Sequence, residues 1–373
     1  MTGPNAGEPA LIYRPFSAVF WVLLAAIVTG AIGVLMAFGS AIQATLRINL
    51  LLIPVWATFI LILVRIILLF DPFRAMRQMP QVLVAALALG STAAMAMALT
   101  GNDAMAIIVS WLFGAEFASG WFAALSAPII EEASKATCAA IILILCSDRI
   151  NRIAHALLVG MFVGLGFGIV EDLTYEVQSA LSNVDSDLAG ALPTLFIRIL
   201  TAFPSHWSYT GLTSVGVLLL LPSFSERDEW KNFDRLAAAV LLFFSAWFMH
   251  FLWDSPAPAF VEGNIGLTWL LLLLKCLVNV AIFLGTALLL LRHERRWVVE
   301  QVAQLRAFDA VLPGIDAEVL NSLATRRARH QLQKGAKRKG GKAAARSIAR
   351  DQRKALDLIQ RYGSEIKPAP AEA

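Results

Sequence analysis

Residues 16–38 read FSAVFWVLLAAIVTGAIGVLMAF, 23 consecutive positions without a charged side chain. A helix rises about 1.5 Å per residue, so the run covers the roughly 30 Å hydrocarbon core of a bilayer. It is too long for the apolar centre of a signal peptide and lacks a basic segment before it, which predicts a retained span. Comparable runs recur at 48–70, 82–99, 120–146, 153–175, 192–221, 236–254 and 266–291. They explain a composition of 58% hydrophobic and 16% charged residues over 373 positions, where a soluble domain carries about 25% charge. The expected fold is therefore all-α, a polytopic transmembrane helical bundle of about eight spans, and an ordinary soluble domain is excluded. Cys138, Cys146 and Cys276 all fall in apolar runs without metal-type spacing, which argues against a disulfide framework.

Loop charges orient the bundle. The loops at 71–81, 147–152 and 222–235 contain Arg74, Arg77, Arg149, Arg152, Arg227, Lys231 and Arg235. Those at 100–119, 176–191 and 255–265 hold no Lys or Arg, but do hold Asp103, Glu116, Glu176, Asp185, Asp187 and Glu262. The positive-inside rule then predicts a multi-pass protein of the cell membrane with both termini in the cytoplasm, only Arg47 in the first outer loop breaking the pattern. Ala104–Phe113 is too short to span, and is expected to lie at the outer surface or to re-enter. Pro204 interrupts the sixth span just before Ser205 and His206 and frees a backbone carbonyl that protein or a wet cavity must satisfy.

The apolar runs carry ionisable groups that a purely structural span would avoid, because each costs several kcal/mol at that depth. Ala127–Leu145 reads APIIEEASKATCAAIILIL, with Glu131, Glu132 and Lys135 in mid-run. Glu131 and Lys135 are four apart and can pair across one helix face; Glu132 is rotated by about 100° and needs another partner or a proton. Leu157–Glu176 reads LLVGMFVGLGFGIVEDLTYE. Gly160, Gly164 and Gly168 form a smooth face for a neighbouring helix, and Glu171 falls between Phe167 and Tyr175 in a second every-fourth series, with Asp172 next to it. In the sixth span Arg198 precedes His206 by two turns, and Thr210 follows by one. The seventh ends AWFMHFLWDS, where Asp254 lies four residues after His250 and can fix its tautomer.

Helix rise gathers these groups. Glu131 lies roughly 16 Å from the outer start of its span, and Glu171 and His250 roughly 27 and 21 Å from the inner starts of theirs. All three fall at mid-depth or in the outer half, as parts of one site would. Simple packing accounts for the glycines, an ion-pair lock for Glu131 with Lys135, and an interfacial aromatic belt for Trp247 and Trp253; none accounts for the shared depth. Carboxylates, histidines and a cation in a wet cavity suit hydrolysis: one glutamate takes a proton from water while the histidines and Lys135 stabilise the oxyanion. The same residue types bind Zn²⁺, although no HExxH pattern is present. A proton- or ion-coupled transporter or channel, or a non-catalytic membrane scaffold, would also keep such groups; no inverted repeat favours the transporter.

The order EEASK (Glu131–Lys135), FGIVED with Tyr175, Arg198 with seven residues before His206, and HFLWD (His250–Asp254) resembles the PrsW family of intramembrane proteases, which is grouped with the CAAX prenyl proteases and their bacterial relatives. The resemblance covers roughly residues 80–291. It implies a Glu-dependent endopeptidase with Glu131 and Glu132 as the catalytic pair, supported by Lys135, and carries over Phe167, Glu171, His206, His250 and Asp254. A glutamate-activated water without a bound metal is the favoured chemistry by analogy with the prenyl proteases. Family members have also been called metalloproteases; a Zn²⁺ site would draw on Glu131, Glu171, His206 and His250. Position 254 is Asp where relatives often have Asn, and position 172 is Asp in an analogous place; both changes add negative charge. The implied substrate is a membrane-associated protein or peptide, of which membrane-anchored anti-sigma factors cut at site 1 are the best-known kind.

The expected organisation is a short N-terminal segment (1–15), a transmembrane protease-like domain (16–291, motif core 120–254) and a basic, partly helical cytoplasmic tail (292–373). From Arg292 onward there are 18 Lys+Arg against 9 Asp+Glu, a net of +9, whereas the rest holds 13 against 18, a net of −5. Pro313–Gly314 breaks the helical pattern after RHERRWVVEQ, and the final KPAPAEA is expected to be disordered. The tail is expected to meet anionic lipid, at about 1 kcal/mol per basic residue near the surface. No specific nucleic-acid partner is expected, because no aromatic stacking pattern accompanies the charge.

Overall fold

The computed structural model describes residues 11–256, 261, 263–306 and 315–362. Glu262, the Pro313–Gly314 break, the first ten residues and the closing KPAPAEA lie outside that set. Twelve α-helices and no strand occur among the described residues. They are α1 (Ala18–Ala44), α2 (Leu46–Ile67), α3 (Pro80–Leu89), α4 (Met95–Phe113), α5 (Ala115–Leu145), α6 (Ile153–Ser182), α7 (Asp187–Thr201), α8 (His206–Leu220), α9 (Asn232–Asp254), α10 (Ile265–Arg306), α11 (Ala317–Ser322) and α12 (Arg326–Tyr362). The chain divides into two compact units, one of Met1–Ile67 with Gln81–Thr286, the other of Leu68–Pro80 with Ala287–Ala373.

Among the described residues, six helices are long and apolar enough to cross a membrane, or seven if α7 and α8, bent by 44° at their junction, form one span. The chain is a helical polytopic bundle. The expectation of about eight spans differs by α5, whose 31 residues suffice in length but carry Glu131, Glu132 and Lys135 in the middle. At the centre of the first unit lies α6, buried at every residue from Ile153 to Phe167. Its glycines explain that position: a methyl added at Gly164 would come within 2.6 Å of the His206 carbonyl carbon in α8. Only a residue without Cβ lets the two backbones meet so closely.

Two expectations are corrected. Ala104–Phe113 is not a separate surface segment. It completes α4, and Pro80–Phe113 is a single 34-residue apolar stretch with a π-helical turn at Gly90–Ala94. Nothing in Gly101–Asp103 stops the helix, because Gly101 meets Ile130 of α5 and the Asn102 side chain finds partners inside the bundle. Glu176 is likewise not in an outer loop: α6 continues to Ser182, and Glu176 is fully buried, accepting from Trp56 Nε1 at 2.5 Å. The connection shrinks to Asn183–Ser186, and the Ser186 hydroxyl caps α7 by accepting from Ala189 N.

The second unit has its own apolar core of Phe73, Val298, Leu320, Leu323, Ala355, Leu356 and Ile359. The tail sequence KRKGGK contains the turn that makes it possible. Gly340 and Gly341 leave helical geometry inside α12, Gly341 at φ +73°, where glycine alone is unstrained. The helix thereby doubles back, and Gln352 is bonded by Gln333 and itself donates to Ser322 and the Arg329 carbonyl. Past residue 291, α10 runs on unbroken to Arg306.

Asp71, just after α2, has a nearly inaccessible carboxylate that accepts from the backbone N–H of Ala75 (2.6 Å) and Met76 (3.3 Å). Burial pushes its pKa up to about 6 despite those bonds. The folded state then holds the proton more tightly than the unfolded chain, so stability falls as pH rises from about 4 to 6, by at most about 1.4 kcal/mol per pH unit. Melting of the solubilised protein over that range should show this slope, and Asp71→Asn should flatten it. An unchanged slope in the variant would assign the titration to another group.

Candidate active site

Pro128 sits inside α5, three residues before the acidic pair. From there the helix periodicity turns Glu131, Glu132 and Lys135 inward, 5%, 5% and 0% exposed. Lys135 Nζ lies 2.7 Å from Glu132 Oε1 and 3.4 Å from Glu131 Oε2. The closer partner is thus the i−3 glutamate, not the i−4 one expected, since both spacings are neighbours on a helix. The ammonium also lies 2.9 Å from His206 Nδ1 and 4.1 Å from the centre of the Phe167 ring.

The two glutamates have different surroundings. Glu132 is held on every side: Thr210 and Thr213 hydroxyls donate to its Oε2 at 3.3 Å, and His250 Nδ1 lies 3.1 Å from Oε1. Glu131 has fewer partners: Asn102 Nδ2 donates to its Oε1 at 3.2 Å and Lys135 Nζ to its Oε2 at 3.4 Å. Its Oε2 faces His206 Nδ1 at 3.8 Å and His250 Nε2 at 3.7 Å. Glu131 also lines a polar cavity of about 140 Å³, shared with Glu171, Asp172, Arg198, His206 and Asp254.

Position and tautomer of the histidines come from neighbouring helices. His206 opens α8 beside the glycine face of α6, with Gly168 against its ring, and Phe167 4.9 Å away. Its Nε2 lies 2.9 Å from Glu171 Oε2, so the proton sits on Nε2 and Nδ1 presents its lone pair. His250, in α9, has Asp254 Oδ2 at 3.3 Å from Nε2, as the four-residue spacing predicts. Arg198 of α7 pairs with both Glu171 and Asp172 and lies 4.7 Å over the Tyr175 ring. Every residue named from the four motifs therefore converges on one centre.

Three further residues belong there. Asn102 links Ser126, whose hydroxyl donates to Asn102 Oδ1 at 2.7 Å, to Glu131. Tyr209 stacks on the His250 ring at 5.1 Å, and Asn279 of α10 donates to the Tyr209 hydroxyl. Their sequence signal was weak, since an uncharged amide or phenol in an apolar run carries no cost that demands explanation. The expected span closed at 99, which left Asn102 in the outer loop at 100–119.

Glu131, His206 and His250 each offer a ligand atom within 4.8 Å of the others. Ligand atoms of a tetrahedral ion with bonds of about 2.1 Å lie about 3.4 Å apart, close to the separations from Glu131 Oε2. Each histidine also has a carboxylate behind its other nitrogen, Glu171 for His206 and Glu132 for His250, the backing that orients metal ligands. The donor set fits a metal. Glu171 belongs to the backing group, and Lys135, bonded to His206 Nδ1, is the group a cation would displace.

A polytopic helical bundle with a carboxylate, two oriented imidazoles and a cavity among its apolar helices holds the groups that intramembrane hydrolysis needs. The chain belongs to the PrsW family of intramembrane metalloproteases, whose family model matches residues 78–286. No significant match was found among curated proteins or among solved structures. The protein is thus a multi-pass membrane protein and an intramembrane protease, with a membrane protein as the substrate that membership implies.

Proposed function

We propose that the protein is an endopeptidase in which Glu131 activates the attacking water. The observation that carries this is the single Glu131 oxygen that faces both imidazoles, on a side chain that lines the polar cavity, while Glu132 is engaged elsewhere. Water in the cavity gives a proton to Glu131 as its oxygen bonds to the scissile carbonyl carbon. The oxyanion is met by the cationic and N–H groups around it, the Lys135 ammonium and His250. Glu131 then returns the proton to the leaving nitrogen as the C–N bond breaks. Glu132 and Asp254 hold His250, and Glu171, itself held by Arg198, holds His206; these act through the imidazoles.

The three-donor geometry favours a second reading, in which Glu131, His206 and His250 hold Zn²⁺ or another divalent ion, which when bound supplies Lewis acidity to the water and the carbonyl oxygen. The experiment is cleavage of a single-pass membrane peptide by purified, reconstituted protein, with products identified by mass, before and after treatment with a chelator. Cleavage that survives chelation supports the glutamate-activated water, loss restored by added metal supports the ion, and no cleavage under either condition overturns the proposal.

In this reading α5 is the eighth span, both termini lie in the cytoplasm as the loop charges indicate, and the transmembrane protease part covers 16–291. The substrate is a membrane-anchored regulator, an anti-sigma factor being the kind the family resemblance suggests. The basic tail is read as a contact for anionic lipid. Arg74, Arg350, Arg353, Lys354 and Arg361 surround a cavity of about 480 Å³ whose one acidic lining residue is Asp357, bonded to Arg74 at 2.6 Å. Replacing both Arg353 and Lys354 by Glu should lower retention of phosphatidylglycerol by the purified protein about tenfold or more, read by native mass spectrometry. Equal retention would refute the lipid contact.

A further inference from the structure

Glu131 is bordered by a second cavity, of about 180 Å³, that shares Asn102, Glu131, Glu171 and Tyr175 with the polar one. Beyond those four, Phe38 of α1, Met95, Ala98 and Leu99 of α4, and Phe167 of α6 form an apolar side of its wall, which Thr174 and Gln178 of α6 complete. The hydroxyl of Thr174, also on the wall, already donates to the Glu171 carbonyl at 2.7 Å. An apolar cavity of about 150 Å³ takes a benzene ring, so this one has room for a single large apolar side chain.

We propose that this second cavity is the subsite for one apolar substrate side chain, of Leu, Met or Phe size, on the residue adjoining the scissile bond. The inference rests on the reading of Glu131 as the group that acts on that bond. A carbonyl within reach of Glu131 sits where the two cavities meet, so the flanking side chain must enter one of them. The polar cavity, with Arg198, Asp172 and Asp254 on its lining, is a costly place for an apolar group, whereas the other offers it a side of five apolar residues to pack against. Substrates from a membrane span supply such side chains. At the junction, Asn102 is placed to meet a substrate backbone group, which in an apolar setting needs a partner.

The test is a library of single-pass membrane peptides randomised around the cleavage region, with products sequenced after digestion by the reconstituted protein. Untreated protein should select Leu, Met or Phe at one position flanking the cut. Ala98, only 2% exposed on the cavity wall, fills the space when changed to Leu; Ala98→Leu should shift selection toward Ala or Gly by tenfold or more, within the range that apolar pockets discriminate. Leu99→Ala enlarges the space and should shift selection toward Trp and Tyr, and it keeps the test decisive if the filled variant does not fold. Cut-site preferences unmoved by a folded variant, or a loss equal across all peptides, would overturn the subsite alone. No cleavage by the parent protein would instead overturn the protease reading and the subsite with it.

Discussion

Glu131→Gln is expected to lower cleavage by about three orders of magnitude or more while the protein keeps its fold. Glutamine matches glutamate in shape, and its carbonyl oxygen still accepts from Asn102. The ion pair that matters most for burial survives, because Lys135 lies closer to Glu132 than to Glu131. What disappears is the basic oxygen facing the imidazoles, on a side chain that lines the cavity, so the loss should fall on kcat with KM little changed. Glu132→Gln makes the contrast. It removes the charge that Lys135, Thr210, Thr213 and His250 all address, so it should lower melting temperature more and the chemical step less. Kinetics and melting of both variants in parallel separate the roles; a Glu131→Gln protein with more than a tenth of parental kcat would end the assignment.

Lys135→Met should destabilise the first unit by about 3–5 kcal/mol, the size seen when one member of a buried ion pair is removed. Lys135 is completely inaccessible, and it compensates two carboxylates at once. Methionine fills much of the volume and keeps contact with Phe167, so the loss reports charge more than packing. Adding Glu132→Gln to Lys135→Met should recover a large part of it, because the uncompensated negative charge is gone. A double-mutant cycle on unfolding in detergent measures the coupling. Additive effects, with no recovery in the double variant, would show that the pair does not stabilise the bundle.

Charge in an apolar run is conspicuous because it costs so much there, and this is why Glu131, Glu132, Lys135, Glu171, His206, His250 and Asp254 could be gathered from the chain alone. Asn102, Tyr209 and Asn279 bear no charge, and their roles depend on which helices are neighbours. The same limit misplaced Ala104–Phe113: hydropathy registers Asn102 and Asp103 as an end to the span, while the helix continues because Asn102 is bonded inside the bundle. In the tail, KRKGGK looks like a solvated charge run until the glycine break folds α12 onto itself and supplies a core.

The 23-residue run at 16–38 and its successors determine the membrane bundle from sequence alone, since the hydrophobic length needed to cross a bilayer and the satisfaction of backbone groups within a helix are properties of each segment by itself. The order of the polar motifs likewise carries the family. Which glutamate faces both imidazoles, and where the two cavities meet, were decided only by tertiary structure. Those are distances between side chains of different helices, set by the close approach of α6 and α8 across glycine and by the rotation of α5, and no single segment contains them.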